Sequence, residues 1–183
     1  MASTVFPAAT AATGVFPTWT QLGFTNPSGL TTLTFSSLTG YKYIKVLGFQ
    51  FNSQTGSTNL RLRINADSNS AQYINGGSIY TGTNGAITVR TSGPGTSFDF
   101  GAYSMSSQDA NIVVEFINPT QTDGKKLIKY DFIANDGSSR HNLGNGVYNS
   151  DSAITSISFL SSNGYAFDVG NGATTGFYVY GAN

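Results

Sequence analysis

The chain has 183 residues, carries nine basic and nine acidic side chains for a formal net charge of zero, and contains no cysteine. Only 10% of the residues are charged, against about 25% in typical soluble proteins, so most of the polar groups are Ser, Thr, Asn, Gln and Gly. This composition predicts no nucleic-acid partner, because phosphate binding needs a basic patch, and it excludes disulfides and thiolate metal sites.

Residues 1–18 differ from the rest of the chain. They are rich in Ala and Thr, with two prolines and the isolated aromatic residues Phe6 and Phe16. This pattern fits an extended arm docked on a neighbouring subunit and equally fits a disordered end. It lacks the positive start and apolar segment of a signal peptide, and no run of about 18 apolar residues occurs anywhere. We predict an arm over 1–18, one domain over 19–183, and no membrane partner.

Alternation of apolar and polar residues predicts most of the strands. In "NLRLRI", Leu60, Leu62 and Ile64 share one face while the two arginines take the other. The segments "NIVVEFI" and "KKLIKYDFI" alternate in the same way, which is typical of strands with one face in a core. Their predicted core-facing residues are Ile112, Val114, Phe116, Ile128, Tyr130 and Phe132. The predicted strands span 19–25, 31–36, 41–51, 58–64, 86–91, 97–101, 111–117, 126–134, 153–160, 164–168 and 175–181.

Seven dipeptides favour the tight turns of β-hairpins. Asn-Gly begins at Asn75, Asn84, Asn145, Asn163 and Asn171, and Asp-Gly begins at Asp123 and Asp136. No long segment combines helical spacing with an absence of turn residues. Many strands joined by short turns predict an all-β fold, an antiparallel β-sandwich of the jelly-roll type.

The stretch "INADSNSAQY" concentrates oxygen ligands in a short segment. An EF-hand counted from Asp67 fails, because its fifth, sixth and twelfth positions hold Ala, Gln and Ser. We therefore predict no metal and a structural loop, in which Asp67 and Asn69 cap the backbone through Asx-turns and Tyr73 anchors the far side. An irregular calcium site built with carbonyl oxygens is the alternative. Asp67, Asn69 and Tyr73 are also candidate partner-binding residues.

Catalytic motifs are not evident. His141 is the only histidine, and the surrounding "SRHN" does not form a nucleophile elbow. One histidine supplies too few ligands for zinc. Asp99, Asp131 and Asp168 do not occur in a recognisable glycosidase context, and Asp131 is predicted on the solvent side of its strand. We predict no enzymatic activity and no cofactor.

Aromatic residues are abundant, with 13 Phe, 10 Tyr and 1 Trp. In "FYVYG", Phe177 and Val179 share one face while Tyr178 and Tyr180 share the other. Tyrosine beside Asn and Asp is a common way to bind sugars, and subunit interfaces use the same chemistry. Tyr178 and Tyr180 are therefore candidate ligand- or partner-binding residues.

Three stretches resemble a family of virion proteins from tailed bacteriophages. They are "TGYKYIKVLGFQF" (39–51), "LRLRINADSNSAQY" (60–73) and the closing "YNSDSAITSISFLSSNGYAFDVGNGATTGFYVYGAN" (148–183). Ala66 and Gln72 stand where the family pattern has glycine and asparagine, which weakens any shared ligand role of that loop.

The resemblance implies a structural or adsorption role on the virion surface, as a capsid decoration, knob, fibre or tail component assembled in the host cytoplasm. Other virion proteins are then partners, and a host cell-surface glycan is a further expected partner. A low charge and aromatic strands favour a homo-oligomer. Symmetry alone favours a dimer, and the resemblance favours a trimer. The alternative function is a free, lectin-like carbohydrate-binding module.

Overall fold

The computed structural model describes residues 18–82, 85–103, 110–135, 139–169 and 175–183. The predicted arm, apart from Thr18, lies outside these residues. The described part of the chain consists of strands, turns and loops, and no helix long enough to cross a membrane occurs in it.

Thirteen strands follow one another along the described residues. They are β1 (Thr20–Thr25), β2 (Thr32–Phe35), β3 (Tyr43–Ser53), β4 (Thr58–Ile64), β5 (Tyr73–Thr81), β6 (Ala86–Gly95), β7 (Phe98–Tyr103), β8 (Ala110–Ile117), β9 (Lys126–Asn135), β10 (Ser139–Tyr148), β11 (Ile157–Ser161), β12 (Phe167–Val169) and β13 (Gly176–Ala182).

The strands form two antiparallel sheets packed against each other. The larger sheet has the order β1-β13-β3-β8-β9-β10-β5-β6, with β12 pairing additionally with β3. The smaller sheet has the order β2-β11-β4-β7. The predicted antiparallel β-sandwich is therefore confirmed, and the jelly-roll connectivity stays a prediction.

The core lies between the two sheets and is rich in aromatic rings. All nine side chains predicted to face it are buried: Leu60, Leu62, Ile64, Ile112, Val114, Phe116, Ile128, Tyr130 and Phe132. Phe51 lies near the centre of an aromatic cluster, with ring centroids 4.8 Å from Phe177 and 5.6 Å from Tyr103. The alternation of apolar residues thus assigned the inner faces of β4, β8 and β9 correctly.

Strands β5 and β10 are absent from the predicted set. The turn prediction is wrong for Asn75-Gly76 and Asn145-Gly146, because both pairs lie inside these strands and face each other across the ladder. Buried amides compensate for the missing apolar side chains: Asn75 donates to the Asp99 carbonyl at 2.8 Å and Asn142 donates to the Phe100 carbonyl at 2.7 Å. These bonds join the larger sheet to β7 of the smaller sheet.

The other turn dipeptides have mixed outcomes. Gly85 and Gly164 have φ values of 64° and 71° and lie in turns, as predicted. Asp123-Gly124 lies in the return between β8 and β9. The pairs beginning at Asp136 and Asn171 lie outside the described residues.

Close packing around Gly144 leads to a testable prediction. A Cβ on Gly144 would overlap the ring and hydroxyl of Tyr130 and lie 2.5 Å from the Gly76 carbonyl oxygen. Because neither the Gly76 backbone nor the buried Tyr130 ring can move away easily, Gly144→Ala should destabilise the protein by about 3 kcal/mol. Urea unfolding measures the change. Gly56→Ala is the matched control, since its Cβ would meet only Tyr165 Cε2 at an ordinary 3.6 Å. Equal midpoints for the two variants would contradict the packing described here.

Candidate functional site

The loop that follows β4 is held by its own polar side chains. The Asp67 carboxylate accepts the Asn69 N–H at 2.8 Å, and the Asn69 side chain accepts the Ala71 N–H at 3.0 Å. The predicted Asx-turns are therefore confirmed. The Tyr73 hydroxyl donates to the Asp67 carbonyl at 2.8 Å and accepts the Ile64 N–H at 3.0 Å, which confirms its anchoring role.

These contacts direct the loop residues inward. Tyr73 is fully buried and offers no surface to a ligand. The second oxygen of Asp67 accepts the Tyr148 hydroxyl at 2.9 Å, and burial raises the pKa of Tyr148 to about 12. Of the three candidate binding residues Asp67, Asn69 and Tyr73, only Asn69 is exposed. Among the residues that the structure describes, no group of three or more His, Cys, Asp or Glu side chains comes together as a metal site would require.

The aspartates considered for catalysis lie apart and have structural partners. Asp99 accepts hydrogen bonds from Arg90 at 2.6 Å and from Asn59 at 2.9 Å, which ties β6 to the smaller sheet. Asp168 accepts the Val169 N–H at 2.9 Å. Asp131 is hydrogen-bonded to His141 Nε2 at 2.7 Å on the solvent side of the sheet.

The His141–Asp131 pair has the base and orienting group of a triad. Sequence spacing could not reveal it, because the two residues meet only through the pairing of β9 with β10. A nucleophile is missing: within the described residues, no Ser or Thr hydroxyl is hydrogen-bonded to His141, as a triad would require.

The outer face of the larger sheet, meaning the side directed away from the smaller sheet, carries most of the exposed apolar side chains. Ten of the twelve exposed large hydrophobic residues in the described part of the chain lie on it: Phe24, Tyr43, Phe49, Ile74, Tyr80, Ile87, Val89, Leu127, Ile133 and Leu143. The cross-strand pairing from β1 through to β6 places these side chains on one continuous face of the sheet. A concentration of exposed apolar side chains on one face marks an interaction site more often than an ordinary solvated surface.

The middle of this face is polar. Lys45 and Glu115 form an ion pair at 2.8 Å, and Glu115 is the cross-strand partner of Lys129. A shallow depression of about 600 Å³ lies beside them, bordered also by Asp131 and Leu143. This polar region separates two apolar areas at opposite ends of the sheet.

The first area is the aromatic pocket, defined by Phe49, Gln50, Asn111, Tyr178 and Tyr180, with a volume of about 420 Å³. The Tyr178 ring lies 4.6 Å from Phe24 and 6.1 Å from Phe49, centroid to centroid. The predicted faces of β13 are confirmed, since Tyr178 and Tyr180 are half-buried on the outer face while Phe177 and Val179 are in the core.

A β-bulge shapes this pocket. The register of β3 against β8 shifts between Gly48 and Phe51, so that Phe49 and Gln50 are both exposed although they are consecutive. Gln50 has a φ of 50°, which is unfavourable for a residue other than glycine. The side-chain oxygen Oδ1 of Asn111 accepts the Gln50 N–H at 3.1 Å and closes the bulge. No local sequence pattern marks Phe49, Gln50 and Asn111 as site residues, because the bulge depends on the distant Asn111.

The second area is the assembly half, defined by the exposed apolar residues of β5, β6, β9 and β10: Ile74, Tyr80, Ile87, Val89, Leu127, Ile133 and Leu143. An apolar groove of about 380 Å³ runs through it, lined in part by Gly76, Gly93 and Gly146. Gly76 lowers the floor of this groove, because it occupies an outward position of β5 and places no side chain there.

Comparison with known proteins gives no relative for this chain. No protein-family model, no curated protein and no solved structure matches it. The functional inference therefore rests on the geometry of the described residues and on the sequence resemblance.

Proposed function

We propose that this protein is a non-enzymatic structural component of a bacteriophage virion surface, and that copies of it associate through the assembly half of the larger sheet. The observation that carries the proposal is the exposure of apolar side chains across this face. Ile87 is 64% exposed and Val89 is 77% exposed, on neighbouring outward positions of one strand. A second copy of the chain would remove this area from water.

Two further observations support self-association. The strand β6 ends the order of the larger sheet, and over residues 87–95 its outer edge pairs with no other strand in the described part of the chain. Exposed edges of this kind are templates for strand pairing between chains. The net charge of zero means that approaching copies do not repel one another strongly.

The finer parts of the proposal come from the sequence resemblance. They are the virion location, the other virion proteins as partners, the jelly-roll connectivity and a preference for a trimer over a dimer. Closed cyclic symmetry is the usual way in which identical chains bury such patches. Adsorption to the host surface is the accompanying role.

The assembly half can be tested with charged substitutions. In the double variant Ile87→Glu/Val89→Glu, two carboxylates would be buried in the proposed interface without partners, so the oligomer should dissociate. Thr88→Glu is the matched control, because Thr88 is an exposed residue between the two that points to the opposite face. Light scattering should give three times the 19.3 kDa chain mass for the wild type and Thr88→Glu, and one chain mass for the double variant.

Two results would overturn the proposal. A wild-type mass of one chain at high protein concentration would exclude self-association. Location of the gene away from capsid and tail genes, with no copies of the protein in purified phage particles, would exclude the virion role.

A further inference from the structure

We propose that the aromatic pocket binds one neutral pyranose unit of a glycan. The inference does not depend on virion assembly, because the pocket lies on β13, β3 and β8 and shares no residue with the assembly half. It adds a binding activity with its own ligand to the structural role.

The apolar part of the pocket suits the C–H face of a sugar ring. Tyr178 is flanked by Phe24 and Phe49, with the Phe49 ring inclined at 60° to it, so the rings form two walls rather than a flat stack. Aromatic faces carry negative charge density and attract the polarised C–H groups of a pyranose. The volume of about 420 Å³ accommodates one ring unit with its substituents.

The polar part of the pocket is built at a conformational cost. The bulge places the Gln50 side chain on the same face as Phe49, and the Gln50 backbone is held at a φ of 50°. Backbone strain of this kind persists where surrounding structure enforces it, often at ligand sites. Asn111 enforces it by accepting the Gln50 N–H at 3.1 Å.

The bulge leaves two amide groups available to a ligand. The oxygen of the Asn111 side chain is used by the bulge, whereas its NH₂ group and the whole Gln50 side-chain amide make no hydrogen bond to another described residue. Together they offer donors and an acceptor beside the aromatic walls, which is the combination that adjacent hydroxyl groups require.

The charge of the pocket selects for a neutral ligand. Its lining contains no Asp, Glu, His, Lys or Arg side chain. Lys45, the cross-strand partner of the lining residue Tyr180, is held in an ion pair with Glu115 at 2.8 Å. A phosphate or carboxylate would find no cation in the lining, whereas a neutral polyol would lose no charge solvation on binding.

Binding can be measured on the full chain with two simple probes, methyl β-D-glucopyranoside and methyl β-D-galactopyranoside. We expect at least one of them to shift the side-chain amide NMR signals of Gln50 and Asn111 with a Kd of about 1–10 mM, typical of one small polar ligand. Tyr178→Ala should weaken this binding at least about ten-fold, since it removes the central ring. Tyr43→Ala, which removes an exposed tyrosine of the same face outside the pocket, should leave it unchanged.

Gln50→Gly separates binding from folding. Glycine adopts a positive φ without strain, so the variant should unfold at the same or a higher temperature than the wild type. It should nevertheless bind the glycoside several-fold more weakly, because the amide is lost. This variant keeps the test decisive if Tyr178→Ala fails to fold.

The inference is overturned if neither glycoside shifts these signals at about 50 mM, well above the expected Kd. It is also overturned if Tyr178→Ala or Gln50→Gly binds as tightly as Tyr43→Ala, or if burial of the pocket between copies of the chain blocks the glycoside. If the wild-type protein forms its oligomer but does not bind the glycoside, this site alone is refuted. If the wild-type protein is a monomer that binds the glycoside, the assembly proposal alone is refuted.

Discussion

Phe116→Ala should lower the free energy of unfolding by about 3–5 kcal/mol, and Leu62→Ala should lower it by about 2–5 kcal/mol. Phe116 comes from the larger sheet and Leu62 from the smaller one, and at most 1% of either side chain is exposed. Truncation removes buried apolar area and leaves a cavity, because the ladders on both sides hold the strands in place. Loss of core volume from either sheet should therefore destabilise the protein.

Thermal and urea unfolding measure this effect. For a chain of this size, a loss of 3–5 kcal/mol corresponds to a fall in melting temperature of about 10 °C. Val113→Ala is the matched control, since Val113 lies on the outer face of the strand that carries Phe116 and is only half-buried. If Phe116→Ala or Leu62→Ala melts within about a degree of the wild type, the assigned inner faces are wrong.

The second large effect is alkaline unfolding driven by four buried tyrosines. Burial raises the pKa of Tyr73, Tyr103, Tyr130 and Tyr148 above the ordinary value of 10.0, to about 12 for Tyr148. Above pH 10 the unfolded chain loses these protons while the folded chain keeps them. The stability contributed by each group is therefore full below pH 10 and is lost as the pH rises towards its folded pKa.

The slope of this loss is steep. Each tyrosine whose folded pKa lies well above the pH contributes about 1.4 kcal/mol per pH unit, so Tyr73, Tyr103 and Tyr148 together contribute about 4 kcal/mol per unit, and Tyr130 acts in the same direction. Lys126 acts in the opposite direction, because burial lowers its pKa and the folded chain therefore releases this proton before the unfolded chain does. Its contribution to stability rises with pH, but only up to the ordinary pKa of 10.5. We expect cooperative unfolding between about pH 10.5 and 12.

Tyrosinate absorbance and near-ultraviolet circular dichroism, recorded together against pH, test this expectation. The four tyrosines with a raised pKa should ionise over the same narrow pH range in which the near-ultraviolet circular dichroism signal is lost. Tyr103→Phe is the clearest variant: the Tyr103 hydroxyl is buried and has no hydrogen-bond partner among the residues that the structure describes, so its removal should move the step to higher pH. Smooth ionisation of all ten tyrosines with the tertiary signal intact would contradict the burial of these four groups.

The sequence predicted the parts of the fold that depend on local alternation. Strands β4, β8 and β9 have one apolar and one polar face, and their inner residues were assigned correctly. Strands β5 and β10 escaped prediction because their glycines and asparagines resemble turns in isolation. Their stability depends on distant partners, such as the bonds from Asn75 and Asn142 to β7.

The candidate site shows the same division. The outward orientation of Tyr178 and Tyr180 follows from alternation within one strand. Phe49, Gln50 and Asn111 were not predicted, because a bulge closed by a side chain 61 positions away has no local signature. Tyr73 was assigned two roles from its sequence context, and the structure places it in the anchoring one.

The pairing of β1 with β13 has a consequence for biosynthesis. Thr20 is the cross-strand partner of Gly181, and the central strand β3 also pairs with β13. During translation, β1 and β3 therefore leave the ribosome long before their partner β13 has been synthesised. Pairings between such distant segments slow folding to milliseconds or longer, and the waiting strands are prone to aggregate. Slow translation at low temperature should accordingly increase the yield of native protein by limiting the concentration of half-made chains.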